Sequence, residues 1–287
     1  MTSKNTLLPV QTTLQSKGRL IDLSRPVVMG ILNATPDSFY NKGRESSVDE
    51  LLGNAERMLQ EGALILDVGG ASTRPKSEII DVDEELRRVL PVITAIHQRF
   101  PEVWLSVDTY HARTAEEAVN AGVSLVNDVS SGRFDKRMLE TVAALGVPYI
   151  AMHLQGTPQT MQDNPQYEDV VYEVHNALRE VCDACKTAGI KDVIADPGFG
   201  FGKTVEHNFS LLKNLHTFRM LGRPVLAGLS RKSMICKALR LSPDHALNGT
   251  TALHMIALQQ GANILRVHDV KEALEVVKLF EILNLTY

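Results

Sequence analysis

The chain has 287 residues, a formal net charge of −4 and 44% hydrophobic residues, which is typical of a soluble globular protein with a sizeable core. The negative charge argues against a nucleic-acid binder that depends on overall basicity, and no run of about eighteen apolar residues predicts a membrane span. Three cysteines, and a start without an apolar segment of signal-peptide length, favour a cytoplasmic protein. We therefore expect neither nucleic acid nor a membrane among its partners.

After a segment expected to be flexible over residues 1–12, TLQSKGRLIDLS predicts two short strands around Lys17-Gly18. A regular alternation begins near residue 26. Strand-like apolar runs recur over residues 27–33, 64–69, 103–108, 124–128, 148–153, 193–196, 224–230 and 263–268. Helical patterns cover residues 48–61, 83–99, 111–121, 135–145, 167–188, 205–221, 231–260, broken near Ser242-Pro243, and 270–283.

Most of these helical patterns end at a glycine, the usual left-handed stop: Gly62, Gly122, Gly146, Gly189, Gly222 and Gly261. Eight units of strand, polar loop and helix in about 260 residues are the count and length of a (β/α)8 TIM barrel. We predict an α/β barrel of this type, with an N-terminal β-hairpin closing the bottom and residues 1–287 forming one domain. A doubly wound parallel sheet is the alternative.

Almost every predicted strand finishes in a hydrogen-bonding side chain: Asn33, Asp67, Asp108, Asn127, His153, Asp196, Ser230, and Arg266 with His268. The active face of such a barrel lies at these strand ends. Asp108, Asn127 and Asp196 combine acceptors with an amide, which suits a flat heterocycle with a guanidine-like edge. We interpret the set as a binding site, because turn or cap preferences explain each residue singly but not all of them together.

Positive charge and oxygen ligands suggest that the same site also takes an anion. Lys232 in LSRKS and the pair Arg266 and His268 suit a phosphate or diphosphate. Asn33 and Asp37 offer oxygens that could hold Mg²⁺. The site is therefore expected to accommodate a polar ring at one end and an anion at the other.

The stretch IADPGFGFGKT, residues 194–204, turns a buried strand into a loop with three alternate glycines. It fails the P-loop pattern by one residue, and its glycines lack the dinucleotide-binding spacing. Backbone close to a ligand is the expected use of such glycines. The Asp-Pro start and the Lys-Thr end of the stretch favour a binding site over a plain turn between strand and helix.

Eight segments resemble, in order, the successive motifs of the dihydropteroate synthase family: GILNATPDSF, DVGGASTRP, SVDTY, NDVSSG, MHLQGTPQTMQ, DPGFGFGK, GLSRKSMI and RVHDV. The resemblance spans residues 26–270 and is specific, because the motifs fall at strand ends throughout the barrel. It implies condensation of (7,8-dihydropterin-6-yl)methyl diphosphate with 4-aminobenzoate in folate biosynthesis, with Mg²⁺ as cofactor. It further implies a homodimer and a sulfonamide target.

The resemblance also assigns residues to each part of the site. The implied pterin pocket is Asp108, Asn127, Met152, Asp196, Gly228 and Lys232. The implied diphosphate site is Asn33, Thr73, Arg74, Arg266 and His268, with Mg²⁺ on Asn33. The implied aminobenzoate site is Thr73, Arg74, Pro75, Phe201, Lys232 and Ser233, near a gate made by the loops over residues 33–47 and 69–83. With these assignments, Asp196 becomes the anchor for the pterin's amino edge, and Phe201 with Gly202 becomes a wall for the second substrate. Lys203 is then interpreted as a loop or helix-start charge. Catalysis is expected from Asp108, Asp196, Lys232, Arg266 and His268.

The departures from the family pattern, Ala71 and the FYNKG segment, lie in these two loops and bear on loop contacts and inhibitor response. Three other functions stay open. A pterin-binding methyltransferase would share the barrel without needing the STRP loop, and an aldolase would use Lys232 as a Schiff base. A binding-only paralogue should have lost a residue of the diphosphate site, yet Asn33, Thr73, Arg266 and His268 are all present.

Overall fold

The computed structural model describes residues 10–35, 44–71, 80–157 and 159–285. The chain first forms an antiparallel hairpin of β1 (Thr13–Ser16) and β2 (Arg19–Asp22). Lys17 and Gly18 both have positive φ, 50° and 77°, the backbone that a tight two-residue hairpin turn requires. The predicted hairpin is confirmed, whereas the flexibility expected of residues 1–12 falls mostly outside the described residues.

The main sheet is parallel and nearly closed. Its strands are β3 (Val27–Asn33), β4 (Ile65–Gly69), β5 (Trp104–Asp108), β6 (Leu125–Asp128), β7 (Tyr149–Met152), β8 (Val193–Asp196), β9 (Leu226–Ala227) and β10 (Ile264–Val267). They pair in the order β8-β7-β6-β5-β4-β3-β10-β9. A parallel bridge between Ala195 and Val225 joins the two ends. The (β/α)8 barrel is confirmed, and the doubly wound alternative is excluded.

Helices surround the strands. They are α1 (Arg44–Glu61), α2 (Val82–Arg99), α3 (Ala112–Asn120), α4 (Met138–Leu145), α5 (Val170–Ala188), α6 (Val205–Lys213), α7 (Ser233–Leu239), α8 (Leu247–Gln259) and α9 (Val270–Leu285). The six glycines predicted to stop helices all have positive φ, between 65° and 125°. This backbone satisfies terminal carbonyls at little steric cost only for glycine. Across the described residues, no helix is both long and apolar enough to cross a membrane.

Some boundaries differ from the prediction. The expected strand over residues 224–230 is reduced to Leu226–Ala227, and Val225 forms only an isolated bridge with Ala195. The helix expected over 205–221 divides at Asn214 into α6 and a 3-10 segment, Leu215–Leu221. The helical pattern over 231–260 divides into α7, a 3-10 turn at Pro243–His245 and α8, near the predicted break.

Two apolar layers fix the barrel. One lies between strands and helices and includes Cys182 and Cys185, so these thiols pack in the core. The other fills the bottom of the barrel, where Leu14, Ile21 and Leu23 from the hairpin region cover the first inward-facing residues: Met29, Ile65, Trp104, Leu125, Ile150, Ile194, Leu226 and Ile264. The hairpin therefore closes the bottom, as predicted.

The inward-facing positions above this apolar layer are largely polar. Because side chains alternate along a strand, the residues two positions further on face the same interior. These residues are Ile31, Asp67, Ser106, Asn127, Met152, Asp196, Gly228 and Arg266. Asp108 and Asn127 are register partners, as are Met152 and Asp196. One end of the barrel is thus sealed with hydrocarbon, and the other carries the polar residues.

Candidate active site

The centre of the strand-end face is an arginine held by two buried carboxylates. Arg266 Nε donates to Asp67 Oδ2 at 2.6 Å, and Arg266 Nη2 donates to Asp108 Oδ2 at 2.6 Å. Asn127 Nδ2 donates to the same Asp67 oxygen at 3.0 Å. Four strands, β4, β5, β6 and β10, therefore converge on one polar cluster. Buried charges need such partners, because an unpaired ion is costly to remove from water.

The cluster shifts the titration of its members. Burial raises the pKa of Asp108 to about 7, although the positive charge of Arg266 opposes this shift. Burial by itself lowers the pKa of Arg266, but Asp67 and Asp108 outweigh it and raise the pKa above its usual range. Arg266 thus remains a cation at any physiological pH. A ligand at this site meets a fixed guanidinium flanked by carboxylate acceptors.

Asp196 forms a second buried acceptor at the end of β8. Its Oδ1 accepts from the backbone N–H of Gly198 at 2.7 Å, which fixes the carboxylate against the start of the glycine loop. Burial raises its pKa, and Lys232 and Arg266 are among the positive charges that counteract the shift. The space beside it is open at Gly228, where an added Cβ would meet only Leu226 Cδ2, at 4.0 Å. The strand ends can therefore receive a ligand edge between Asp196 and Arg266.

An apolar wall stands next to these acceptors. Met152 and Phe201 are buried in one small cluster with Val129, Leu154 and Met161. The Lys232 Nζ lies 4.2 Å from the centre of the Phe201 ring. Burial, followed by the charge of Arg266, lowers the pKa of Lys232 to about 8, with Asp196 and Asp108 opposing. A flat ring and an ammonium group thus lie together at the edge of the site.

The glycine loop packs against the neighbouring β7 loop. A Cβ at Gly198 (φ 70°) would lie 2.0 Å from the His153 carbonyl oxygen, and one at Gly202 (φ 62°) would lie 2.6 Å from that of Gln155. Gly200 (φ 83°) is the glycine that approaches Lys232, whose Cδ would lie 3.2 Å from an added Cβ. The close approach expected of these glycines is therefore mainly to protein backbone.

Lys203 holds this loop from inside. Its Nζ donates to the carbonyl oxygens of Gly198 and Phe201, both at 2.9 Å, and reaches His153 Nδ1 at 3.0 Å. Lys203 is only 3% exposed. It is therefore a buried lysine that holds the carbonyl groups of the loop together, and the expected role as a loop or helix-start charge is wrong. Burial lowers the pKa of Lys203 to about 7. Burial and Lys203 lower the pKa of His153 to about 2, so its imidazole is neutral.

His268 follows β10 at the exposed rim. Its Nδ1 lies 3.0 Å from Ser230 Oγ, whose hydroxyl can donate to it, and the same oxygen accepts from the His268 backbone N–H at 3.2 Å. Partial burial of the ring and the charge of Arg266 lower the pKa of His268 to about 4. The neutral imidazole can therefore donate one hydrogen bond to an anion through Nε2. Ser230 was expected at the strand ends, and the structure makes it the hydroxyl that orients His268.

The other predicted residues occupy varied positions. Asn33 lies at the exposed end of β3, and Ser233 is exposed at the first position of α7. Gly202 is buried, and its carbonyl oxygen accepts from Tyr167 Oη at 2.8 Å. Thr73, Arg74, Pro75 and Asp37 lie outside the described residues. The FYNKG segment also lies outside the described residues. Ala71 is described and is the last residue before the gap in its loop.

Two residues acquire roles that sequence reasoning missed. Asp67 was among the strand-end residues but was given no role toward either substrate, although its position two residues after inward-facing Ile65 signals that it faces the interior. Lys203 carries no such signal, since a lysine before a helix is usually solvated. Both are buried polar groups whose partners come from distant parts of the chain.

The barrel and its polar face define a pterin binding enzyme: the family model with that description matches residues 29–268. A dihydropteroate synthase of Haemophilus influenzae is 47% identical over 270 residues, covering 93% of this chain and 98% of the relative. The chain therefore belongs to the dihydropteroate synthases, which are transferases.

Solved structures agree with this assignment. The dihydropteroate synthase of Yersinia pestis, in a sulfonamide drug complex, superposes with a TM-score of 0.89 at 43% identity, covering 95% of this chain and 99% of that one. The Xanthomonas albilineans enzyme in complex with 7,8-dihydropteroate superposes with a TM-score of 0.86 at 40% identity, covering 96% and 100%. The similarity thus extends over the whole barrel in both chains.

Proposed function

We propose that the chain condenses (7,8-dihydropterin-6-yl)methyl diphosphate with 4-aminobenzoate to give 7,8-dihydropteroate and diphosphate. The observation that carries this proposal is the Asp67–Arg266–Asp108 cluster, which puts a fixed cation beside buried acceptors at the strand ends. The first substrate has a matching pair of features: a donor-rich ring edge and an anionic leaving group. The bound 7,8-dihydropteroate of the Xanthomonas albilineans relative supports the same chemistry.

The pterin lies, in this proposal, in the barrel mouth. Asp108 and Asp196 accept from the ring N–H groups, and Asn127 adds a third acceptor. Met152 provides an apolar face for the ring, and Gly228 leaves room because an added Cβ there meets only Leu226 at 4.0 Å. Low exposure makes these hydrogen bonds stronger than they would be in water.

The diphosphate lies on the side of Arg266 and His268. The guanidinium is permanently charged, and the neutral His268 ring contributes a donor. Asn33 completes the described part of this site, and we propose that Thr73 and Arg74 join it. Catalysis then depends on stabilising the charge that develops on the departing oxygen.

A magnesium ion that is coordinated jointly by protein and substrate oxygens fits this arrangement. Mg²⁺ usually takes few protein oxygens together with phosphate oxygens and water. Asn33 offers one oxygen at the exposed end of β3, and no cluster of three His, Cys, Asp or Glu among the described residues could hold the metal alone. Asn33, with Asp37 as a second candidate, would hold the ion. When bound, it supplies positive charge to the diphosphate.

The 4-aminobenzoate lies against Phe201, with Lys232 and Ser233 near its carboxylate. We propose that Thr73, Arg74 and Pro75 close this side, and that Gly202 supports the wall by fixing Phe201. The amine is neutral at pH 7, so a strong general base is not required. The C–O bond breaks first and diphosphate takes its electron pair. The amine nitrogen then forms the new C–N bond, and the surplus amine proton passes to solvent.

Charge on the pterin decides the order of bond changes. Asp108 and Asp196 favour positive charge spread over the ring as the C–O bond breaks, which is consistent with a dissociative displacement. Lys232 is positioned between the two substrates, where its ammonium contacts the Phe201 ring. Asp108, Asp196, Lys232, Arg266 and His268 are thus the proposed catalytic residues.

The test is diphosphate release with Mg²⁺ and both substrates, with each substrate omitted in turn. We expect release only in the complete mixture, together with 7,8-dihydropteroate. Release without aminobenzoate would indicate a hydrolase, and binding of the pterin without release would indicate a binding-only protein. Borohydride inactivation in the presence of a carbonyl substrate would instead reveal a Schiff base at Lys232. Each of the last three results overturns the proposal.

We further propose that the protein is a cytoplasmic homodimer and that residues 1–287 form one domain. Exposed apolar side chains on the last three helices support a second copy as the partner: Leu239 on α7, Ile256 on α8, and Leu279 and Leu285 on α9. Light scattering after gel filtration should give twice the chain mass. Leu279→Glu should lower this mass toward that of the monomer.

A further inference from the structure

We propose that Asp67 is a positioning residue that couples the pterin pocket to the diphosphate site. One carboxylate oxygen, Oδ2, accepts from Asn127 on the pterin side and from Arg266 on the diphosphate side, at 3.0 and 2.6 Å. Asp67 is fully buried, so these contacts are not shared with bulk solvent. This inference rests on the proposed condensation and adds a role within it.

The first consequence concerns the Asn127 side chain. A carboxylate oxygen can only accept, so Asp67 imposes the amide orientation in which Nδ2 faces it. The carbonyl oxygen of Asn127 is then the amide atom that can accept from a substrate N–H. Without Asp67, the amide could rotate by half a turn and present a donor instead. Asp67 therefore sets Asn127 to recognise a donor edge of the pterin.

The second consequence concerns the guanidinium. Asp67 and Asp108 occupy Nε and Nη2 of Arg266 and approach it from neighbouring strands, β4 and β5. Two carboxylates define the plane and direction of the guanidinium more firmly than one. The remaining N–H groups then point along a fixed direction when the diphosphate departs. Preorganised donors of this kind need no rearrangement during the reaction.

The Asp67 carboxylate also has a second oxygen that can accept a further hydrogen bond. Its Oδ1 is buried and has no hydrogen-bond partner in the described part of the chain. Buried polar atoms without partners are uncommon outside functional sites. Asp128, at the end of β6, provides the contrast: its oxygens accept from Ser130 N, Gly132 N and Tyr149 Oη, all at 2.7 Å. Asp128 is thus a turn residue whose two carboxylate oxygens both have hydrogen-bond partners, and it serves as the matched control.

The experiment compares Asp67→Ala, Asp67→Asn and Asp128→Ala with the wild-type enzyme. Calorimetry with a dihydropterin that lacks the diphosphate measures the pterin pocket without turnover. We expect Asp67→Ala to weaken this binding about ten-fold or more, the size of a lost charge-assisted hydrogen bond. Asp67→Asn keeps an acceptor oxygen and should recover part of the loss. Asp128→Ala should keep the wild-type affinity in its folded fraction.

Steady-state kinetics supplies the second readout. Asp67→Ala should lower kcat and leave the KM for 4-aminobenzoate within about two-fold, because the coupled groups contact the other substrate. Equal changes in both KM values, or an unchanged pterin affinity in folded protein, would overturn the proposal. Wild-type turnover tests the proposed condensation separately. A failed condensation with intact pterin binding would leave the calorimetric comparison valid.

Asn127→Asp keeps the proposal testable if Asp67→Ala does not fold. This variant places a second carboxylate against Asp67, and the two must share a proton to approach each other. Pterin affinity should therefore rise as pH falls from about 8 to about 6, more steeply than in the wild type. The charged groups around this pair are Asp108, Asp128, Asp196, Glu85, Lys232 and Arg266. A wild-type pH profile for this variant would contradict the contact.

Discussion

The Lys232 ammonium lies against the Phe201 ring, with Nζ 4.2 Å from the ring centre. The two residues come from different loops, after β8 and β9, and both border the proposed aminobenzoate site. Burial and Arg266 lower the pKa of Lys232 to about 8, so this cation is within reach of titration at physiological pH. The pair joins an aromatic surface to a charge that depends on pH.

The pH profile should report this lysine. Lys232 is protonated below its pKa, so an activity that needs the ammonium should fall as pH rises through about 8. Lys232→Arg keeps the charge at high pH and should remove this limb, at some cost in kcat. The measurement is kcat/KM for 4-aminobenzoate between about pH 6 and pH 10. The same limb in Lys232→Arg would assign the titration to another group, with Lys203 as the first candidate.

Phe201→Leu should selectively weaken the second substrate. Loss of the aromatic surface and of its contact with Lys232 removes about 1 kcal/mol, which corresponds to a roughly five-fold higher KM for 4-aminobenzoate. The KM for the pterin diphosphate should stay close to the wild-type value. Phe199→Leu is the matched control, because Phe199 lies in the same loop but packs into the outer core. It should lower thermal stability without this difference between substrates.

The register of the barrel explains why much of the site could be predicted from the sequence. Side chains two positions apart on a strand face the same side of the sheet. The inward-facing Ile194 and Leu125 therefore predict that Asp196 and Asn127 also face inward. The same rule applies to Ile65 and Asp67. Yet the contacts of Asp67 with Arg266 connect positions far apart in the sequence, and no local pattern specifies them.

Other features depended on tertiary contacts. The stop at Gly146 could be predicted, because left-handed backbone favours glycine locally. At the break in the helix expected over residues 205–221, the Asn214 side chain donates to the Ser210 carbonyl oxygen and ends α6. The short β9 pairs with β10 only at Leu226 and Ala227, and this pairing depends on the neighbouring strand, which propensity does not encode. Lys203 was misjudged for the same reason: its acceptors, among them the His153 ring, assemble only in the folded loop.

Gly198→Ala should be much more damaging than an ordinary glycine replacement. Positive φ alone costs about 1–2 kcal/mol for alanine, and here the added Cβ would also lie 2.0 Å from the His153 carbonyl oxygen. Gly146→Ala is the matched control, because Gly146 has φ 65° but nothing within 4 Å of an added Cβ. Urea denaturation should show a clearly larger loss for Gly198→Ala. Equal losses would mean that the loop moves away from His153 at little cost.

Lys203→Met should destabilise the fold, because the Gly198 and Phe201 carbonyl oxygens lose their buried donor. Each unsatisfied group costs about 1–3 kcal/mol. Burial lowers the pKa of Lys203 to about 7 in the folded protein, well below the ordinary value of a lysine, so above pH 7 the unfolded chain binds more protons. Stability from this group therefore rises with pH. The free-energy difference between wild type and variant should grow from pH 7 to about pH 9 in denaturant titrations, and a shrinking difference would contradict the assignment.

Asp108→Asn and Asp196→Asn should each reduce turnover while leaving a folded barrel. Both carboxylates face the proposed ring, and each is positioned by a separate contact: Asp108 by Arg266 at 2.6 Å and Asp196 by the Gly198 N–H at 2.7 Å. Neutral amides remove the charge that stabilises the developing cation, so kcat should fall about 100-fold. Asp128→Asn, which removes a buried carboxylate that faces away from the barrel mouth, is the control for stability. If either variant with a wild-type unfolding profile kept full kcat, the electrostatic role of that carboxylate would be abandoned, and binding alone would remain as its function.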